Sequence, residues 1–274
     1  ERLITATMLL IISFSTIGVV VIRANANPPI NMNNPSDAMR LIPYLNREQY
    51  GERPLLRGPH YEADPVDTDR EERYGIVGDR YEIVDQKLSY IYKDEDKMLF
   101  PRISHSDGNR PALYRRWMGD ENGKPSMAFN IEFFFRYQVG WMYWRYFMWN
   151  FSGRENGEQG TEPWNPKSGH WITGFDFIDS ARLFNMEKMP DSMRDNQARN
   201  KYYMIPLILG IIGLVYQFKR QKRDFVALLM LFLFTGLGII LYVNQPPSEP
   251  RERDYVLVGS FFTFCIWIGL AVPS

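Results

Sequence analysis

The residues of this chain best suited to bind an anion are two arginines beside an aromatic run. Arg145 and Arg154 lie within and just after a stretch of tryptophan, tyrosine and phenylalanine at positions 141–151. Arginine forms paired hydrogen bonds to phosphate oxygens and is weakly hydrated, which suits the phosphate of a lipid-linked substrate at a membrane surface. The alternative is that they reach ordinary lipid headgroups or pair with Glu132 and Glu155. We therefore take Arg145 and Arg154 as candidate lipid-phosphate ligands.

Other site chemistries find little support in the sequence. It has no phosphate-binding glycine loop, no Ser-His-Asp pattern and no metal-ligand spacing. The histidines at 60, 105 and 170 are scattered, and we expect surface or packing roles for them. The aspartates of segment 64–69 lack the glycine that a calcium loop requires. We expect no metal and no cofactor, and no carboxylate stands out as catalytic.

Charge and cysteine content narrow the class of protein. The 32 Lys and Arg residues are balanced by 32 Asp and Glu residues, which argues against a nucleic-acid partner. The single cysteine, Cys265, permits no disulfide within the chain. The mean hydropathy of -0.33 is that of a water-soluble protein, yet the apolar residues are bunched in a few segments. The fold class is therefore predicted from these apolar segments and not from the average.

Four apolar segments have the composition of transmembrane helices. They are residues 3–22, 202–218, 225–243 and 255–272. About 20 helical residues, each rising 1.5 Å, cross a hydrocarbon core of roughly 30 Å. The first segment could instead be a signal peptide, because Ala24-Asn25-Ala26 resembles a cleavage site. Its apolar core is longer than the roughly 15 residues usual in signal peptides, so we favour a retained helix.

A short basic turn between the second and third segments predicts the orientation. Its basic residues are Lys219, Arg220, Lys222 and Arg223. Short loops rich in lysine and arginine stay in the cytoplasm. Residues 202–243 are therefore predicted to form a transmembrane hairpin with a cytoplasmic turn at 219–224. Counting back, residues 24–201 lie outside, in the periplasm of a Gram-negative cell.

The predicted domains follow from these spans. Residues 1–23 form the first transmembrane helix, 24–201 the periplasmic domain, 202–243 the hairpin, 244–254 a short periplasmic loop and 255–274 the last helix.

Within the predicted periplasmic domain, residues 127–151 read as an aromatic helix lying in the membrane interface. A fifth span is the open alternative there. Glu132, Arg136 and Arg145 argue against it, because a central charge costs about 2.5–3.5 kcal/mol on insertion. Alternating residues within 81–92 predict a short β-hairpin, with a turn near 94–97.

Several longer strings occur together in this chain. They read NPPIN at 27–31, YLNREQYG at 44–51, RPL at 53–55, WMYWRYFMWNF at 141–151, GR at 153–154, NQPP at 244–247 and EPRERDY at 249–255. With these strings the chain resembles, over nearly its whole length, a polytopic bacterial membrane family named for domain of unknown function 2723.

The resemblance implies a glycosyltransferase of the GT-C type, similar to protein O-mannosyltransferases. Such enzymes move a sugar from a polyprenyl-phosphate carrier to proteins outside the cytoplasm. Their catalytic carboxylate lies in the first extracytoplasmic loop, and its motif has no match here. Because the chain begins at Glu1 and ends at Ser274 just after an apolar run, we expect an internal fragment whose catalytic carboxylate lies elsewhere.

The sequence thus predicts an α-helical polytopic membrane protein with four transmembrane helices and a large mixed α/β extracytoplasmic loop. Its predicted function is part of a membrane glycosyltransferase, with the bilayer, a lipid-linked sugar donor and an acceptor protein as partners. One alternative is a transporter or flippase of a lipid-linked molecule. That function needs polar residues within the spans, which carry almost none apart from Gln217 at an edge. The other alternative is a non-enzymatic anchor or assembly protein of the cell envelope.

Overall fold

The computed structural model describes residues 2–51, 53–248 and 254–272 and divides the chain into two compact units. The first unit falls within residues 1–53 and 64–94, and the second within 54–63 and 95–274. In the described residues the helices are α1 (Arg2–Asn25), α2 (Ala38–Leu45), α3 (Arg110–Met118), α4 (127–151), α5 (Asp176–Arg182), α6 (Asp191–Arg194), α7 (Ile205–Arg220), α8 (Lys222–Val243) and α9 (Asp254–Leu270). The strands are β1 (Arg57–Pro59), β2 (Pro65–Val77), β3 (Arg80–Tyr92), β4 (Lys97–Leu99), β5 (Gly153–Arg154) and β6 (Asn200–Lys201).

In the first unit, a capping carboxylate fixes α2 to a long β-hairpin. Asp37 precedes α2, and its Oδ1 accepts hydrogen bonds from the backbone N–H groups of Met39 and Arg40. These donors have no partner within the helix, so a carboxylate there stabilises its first turn. The other oxygen of Asp37 accepts the N–H of Ile76 in β2, at 3.2 Å. One side chain therefore both starts the helix and ties it to the hairpin.

The hairpin is larger than the sequence predicted. β2 and β3 pair antiparallel from Pro65↔Tyr92 to Val77↔Arg80. The prediction of a short hairpin inside 81–92 is wrong, because this whole stretch lies within one strand. Its partner β2 is rich in charged residues and mostly exposed, so it lacks the alternation by which a half-buried strand is recognised. The turn expected near 94–97 is present as a 3₁₀ turn, Asp94–Asp96.

In the second unit, the aromatic helix α4 forms the centre of the core. It runs as an α-helix over Met127–Phe133, widens to a π-helix over Phe134–Arg145 and returns to an α-helix over Tyr146–Phe151. Its buried aromatic rings are Phe133, Tyr137, Trp141, Tyr143, Tyr146, Phe147 and Phe151. Tyr137 packs edge-on against Trp117 of α3 at 4.8 Å between centroids, and Phe147 against Phe264 of α9, also at 4.8 Å. The prediction of a lipid-facing interfacial helix is wrong, because the chain's own helices surround these rings.

Close packing through glycine joins the apolar helices of the second unit. A side chain at Gly213 of α7 would clash with the backbone of Trp267 in α9, and one at Gly210 would clash with the ring of Phe264. The indole N–H of Trp267 donates to Gln217 Oε1 at 2.7 Å. Gln217, the one polar residue noted in these segments, is therefore buried and satisfied.

The four-span fold class predicted from the sequence is wrong. Among the described residues, two helices are long and apolar enough by length and composition to cross a membrane: α1 with 24 residues and α8 with 22. α7 has 16 residues and α9 has 17. At 1.5 Å per residue they reach about 24 and 26 Å, short of the roughly 30 Å of hydrocarbon. The fold is mixed, with helices and three two-stranded antiparallel sheets in the described residues.

Backbone geometry explains why α7 is short. Tyr203 and Met204 adopt left-handed conformations, with φ of 53° and 58°, so the helix begins at Ile205. The apolar segment 202–218 therefore starts before its helix does. In the predicted loop 244–254, residues 249–253 lie outside the described residues, as do residues 273–274 of the last predicted span.

Candidate functional site

The candidate site lies where residues 152–201, here called the covering segment, fold back on the C-terminal half of α4. Ser152 donates its hydroxyl to the carbonyl of Ile172 at 2.8 Å. β5 at the start of the segment pairs with β6 at its end. The indole N–H of Trp141 in α4 donates to the carbonyl of Gly160 at 2.8 Å. These contacts bring together residues that are far apart in sequence.

Arg145, a candidate phosphate ligand, is buried beneath the covering segment. Its Nη1 donates to the carbonyl of Gly169 at 2.6 Å, and its Nε donates to the carbonyl of Trp141 at 3.2 Å. The guanidinium also lies over the Trp141 ring, 4.9 Å from its centroid. A side chain at Gly160 would clash with the guanidinium, so the glycine lets Arg145 approach the covering segment closely. Arg145 thus fastens the covering segment to α4.

Arg154, the second candidate, is half-buried and less fully engaged. Its guanidinium lies 5.1 Å from the centroid of the Trp149 ring, and Nη2 is 3.4 Å from the hydroxyl of Tyr202. Nε is buried and has no hydrogen-bond partner among the described residues. Of the two candidate ligands, Arg154 is therefore the one with donor capacity left for a ligand oxygen.

Glu155 is fully buried next to Arg154. Its Oε2 accepts a hydrogen bond from Asn156 at 2.9 Å, while Oε1 faces Arg199 Nη1 at 3.9 Å, beyond hydrogen-bond distance. Burial raises the pKa of Glu155 to about 7, and the nearby Arg199 only partly opposes this rise. Near neutral pH this carboxyl group is poised between its neutral and charged forms. It can therefore exchange a proton under physiological conditions.

The pairing partners of the two glutamates differ from the alternative weighed in the sequence. Glu155 faces Arg199, and Glu132 lies 3.6 Å from Arg136 one turn along α4. Arg145 instead binds backbone carbonyls.

His170 is buried in the covering segment. Its ring packs edge-on against Trp141 at 5.5 Å between centroids, and Nε2 lies 3.0 Å from the carbonyl of Asn165. Burial lowers the pKa of His170, so the neutral imidazole is favoured. No group of three or more His, Cys, Asp or Glu side chains in the described parts of the chain could hold a metal ion.

The basic turn joins α7 to α8. Lys219 and Arg220 end α7, while Lys222 and Arg223 begin α8, and all four side chains are exposed. Gln221 is the non-helical residue between the two helices. The rings of Phe218 and Phe225 meet across this link at 5.1 Å.

Comparison with known proteins adds one family match. Residues 51–135 match the model of a family of unknown function, DUF8416. The match covers less than a third of the 274 residues, and Arg145, Arg154 and Glu155 lie beyond it. No curated protein and no solved structure matches the chain. The DUF8416 segment includes β1 to β4, α3 and the first turns of α4.

Sequence reasoning missed Arg199 and the burial of Glu155. The two residues are 44 positions apart, since 199 minus 155 is 44, and no periodic pattern links them. Glu155 was visible only as a neighbour of Arg154. Their meeting depends on the pairing of β5 with β6, two residues each, which is too short to leave a sequence signal.

Proposed function

We propose that this chain forms part of a membrane-associated glycosyltransferase that moves a sugar from a polyprenyl-phosphate donor to acceptor proteins outside the cytoplasm. The proposal rests on the resemblance to the family of domain of unknown function 2723 and on the placement of Arg154. It assigns the catalytic carboxylate to a part of the enzyme outside this chain. Here the chain supplies cationic groups that stabilise the departing phosphate.

The observation that carries the proposal is the state of Arg154. Its guanidinium is held against Trp149, and its Nε has no acceptor among the described residues. A buried donor without an acceptor costs free energy, which a phosphate oxygen would recover. Arginine also presents its donors as a rigid fork that matches two phosphate oxygens.

Contacts of the string at 244–247 with α4 give further support. Gln138 Nε2, three residues before the string at 141–151, donates to Asn244 Oδ1 at 3.0 Å, and Tyr137 donates its hydroxyl to the carbonyl of Pro246 at 2.9 Å. The string at 244–247 therefore lies against α4 just before the string at 141–151 begins on the same helix.

We further propose that the chain resides in the inner membrane of a Gram-negative cell, with residues 24–201 in the periplasm. The support is the exposed basic turn at 219–223, which by its composition stays in the cytoplasm. The span-length helices α1 and α8 are compatible with membrane association. This orientation also requires the 16-residue α7 to cross, which a helix shorter than the hydrocarbon core does where the bilayer thins locally. A periplasmic position would place Arg154 on the side where exported acceptor proteins occur.

The phosphate contact is tested by Arg154→Gln in the full chain, purified in detergent and titrated with a polyprenyl phosphate. We expect affinity to fall about tenfold, because charge-assisted hydrogen bonds are lost. Arg136→Gln is the matched control, since Arg136 is an exposed arginine of α4 that pairs with Glu132. Equal affinities of the two variants would contradict the proposed contact. Arg145→Gln is expected to lower thermal stability instead, because Arg145 binds buried carbonyls.

The transferase function is tested separately by deleting the gene and measuring glycans on periplasmic proteins by mass spectrometry. We expect a class of glycopeptides to disappear and to return when the gene is restored. Unchanged glycans would reject the transferase.

Unchanged glycans would favour the alternative function, a non-enzymatic anchor of the cell envelope. One observation supports this alternative. The 13-residue strands β2 and β3 form a mostly exposed ribbon with apolar side chains facing solvent, such as Ile76, Ile83 and Leu88. Exposed apolar side chains on a two-stranded ribbon are typical of a surface that binds a partner.

A further inference from the structure

A cavity of about 300 Å³ opens in the covering segment, and cations dominate its wall. It is lined by Asp176, Met186, Met189, Arg194, Arg199 and Lys201. Lys201 Nζ lies 2.6 Å from Asp176 Oδ1. The single carboxylate of the lining is therefore neutralised by Lys201, and two arginines remain. The wall therefore keeps a net positive charge, which attracts anions.

Arg199 is the most deeply placed of these cations, with 9% of its side chain exposed. Its Nη1 donates to Met189 Sδ at 3.1 Å, and its Nη2 approaches Met186 Sδ at 3.6 Å. Thioether sulfur is a weak acceptor, so these contacts compensate little for the water that the guanidinium has lost. The carboxylate oxygen facing it, Glu155 Oε1, is 3.9 Å away. Oxygen acceptors supplied by a ligand would bind this guanidinium better than its present neighbours do.

The other two cations are held in position by the fold. Arg194 Nη2 donates to the carbonyls of Glu187 and Met189, at 3.3 and 3.2 Å, and Nη1 lies 3.3 Å from exposed Asp191. Lys201 belongs to β6, whose pairing with Gly153 fixes its backbone. The three cations therefore surround one space before any ligand enters, which reduces the entropy lost on binding.

We propose that this cavity is a binding site for a phosphate-bearing anion, with Arg199 as its central ligand and Glu155 as a carboxyl group that competes with the anion for Arg199. The Arg199 fork binds two phosphate oxygens, and Lys201 and Arg194 contribute charge from either side. This site does not depend on the transferase function. It is also separate from Arg154, which does not line the cavity.

The competition follows from charge. As a carboxylate, Glu155 attracts Arg199 and repels an incoming anion, whereas neutral Glu155 leaves the charge of Arg199 to the anion. Because burial raises the pKa of Glu155 to about 7, this change occurs near neutral pH. Anion binding is therefore expected to weaken as pH rises through 7.

Other charged and titratable groups around Glu155 are engaged elsewhere. From α4, Arg145 donates to the carbonyl of Gly169, and from α5, Arg182 donates to the carbonyl of Trp171. His170 lies against the carbonyl of Asn165, and Arg154 lies on Trp149. On the cavity side Arg194, Lys201 and Asp176 complete the set. Of these groups and Arg199, Arg199 is the one whose charge lowers the pKa of Glu155, and burial outweighs it.

The test is calorimetric titration of the full chain in phosphatidylcholine nanodiscs with inorganic phosphate. Arg199→Gln is expected to weaken binding about tenfold, because paired charged hydrogen bonds are lost. Lys188→Gln is the matched control, since Lys188 is exposed beside Met186 and does not line the cavity. In a second arm the nanodiscs contain phosphatidic acid. Weaker phosphate binding there assigns the site to a lipid headgroup, and unchanged binding assigns it to free phosphate.

Glu155→Gln keeps the proposal testable if Arg199→Gln fails to fold. This variant holds residue 155 neutral, so at pH 8 it should bind phosphate several-fold more tightly than the wild type, and at pH 6 about equally. Phosphate itself titrates near neutral pH, so the ratio of variant to wild-type affinity is compared at each pH. Three results would each overturn the site: no phosphate binding by the wild type, wild-type affinity in a folded Arg199→Gln variant, or a ratio that does not change with pH.

Discussion

Glu155 illustrates how burial can outweigh a neighbouring opposite charge. Arg199 lies 3.9 Å away and favours the carboxylate, yet the pKa of Glu155 is raised. Its oxygens have lost water, and Asn156 is the hydrogen-bond donor that the structure gives to one of them. Desolvation therefore wins because the ion pair lacks the hydrogen bonds that would repay it. Ionisation of Glu155 therefore destabilises the folded chain.

This cost predicts a pH dependence of stability. In the unfolded chain a glutamate ionises near pH 4.5, whereas Glu155 in the folded chain ionises near 7. Between these values the folded state binds more protons, so its stability falls as pH rises from about 4.5 to about 7 and is constant above. The difference between these two pKa values corresponds to a loss of about 3 kcal/mol in the free energy of unfolding. Glu155→Gln should remove this fall, as thermal unfolding of the full chain in detergent at pH 4.5 to 8 would reveal.

The control for that measurement is Glu158→Gln, because Glu158 is exposed three residues away. This variant should keep the wild-type pH profile. If Glu155→Gln and Glu158→Gln had the same profile, the buried carboxyl group would not carry the effect.

For a single residue, the sequence gives the type of side chain but not the groups that surround it in the folded chain. Arg145 and Arg154 stand out as arginines beside aromatic residues, and nothing in the local sequence separates them. In the folded chain Gly169, 24 residues further on, engages Arg145, while the Nε of Arg154 keeps no acceptor among the described residues. That difference arises from the fold of the covering segment. Burial and pairing over such separations depend on tertiary contacts.

At the element scale, a helix occupies residues 127–151 where the sequence predicted one, but in a different environment. Its apolar residues fall on several faces, which fits either lipid or a protein interior. Hydropathy cannot separate these two cases, because both are apolar. The decision comes from partners such as Trp117 in α3 and Phe264 in α9, whose rings enclose the helix.

Because α7 packs closely on α9, we expect a single added methyl group at this contact to destabilise the fold. Gly213→Ala places a Cβ against the backbone of Trp267, which cannot move as a flexible side chain can. Overpacking of this kind costs about 1–3 kcal/mol. We expect a lower unfolding temperature for the full chain in detergent and reduced near-ultraviolet circular dichroism from Trp267.

Gly269→Ala in α9 is the matched control, since no side chain and no other element lies within 4 Å of the position that the new methyl group would take. Alanine is the better helix former by about 1 kcal/mol, so this variant should be neutral or slightly more stable. Equal losses in the two variants would mean that close approach of α7 and α9 does not stabilise the protein.

At the scale of the whole molecule, composition predicted apolar helices correctly but overcounted spans. The segments around α7 and α9 are apolar, and a hydropathy window does not register where a helix begins. The left-handed backbone at Tyr203 and Met204 shortens α7 from within such a window. The same segments carry Gly210 and Gly213, which serve contact between helices. The apolar composition of these segments therefore reflects packing between helices as much as the length needed to cross a membrane.

The proposed orientation predicts that the covering segment and the basic turn, which are separated by α7, lie on opposite sides of the membrane. Glu158 in the covering segment and Lys222 in the basic turn are both exposed. In a Cys265→Ala background, Glu158→Cys should react with a membrane-impermeant maleimide in intact spheroplasts, and Lys222→Cys only after the membrane is opened. The expected difference arises because short basic loops are retained in the cytoplasm while long loops are exported. If α1 and α8 alone crossed the bilayer, both positions would lie on one side and react together. Joint labelling would therefore reject the orientation, and with it the placement of Arg154 on the side where exported acceptors occur.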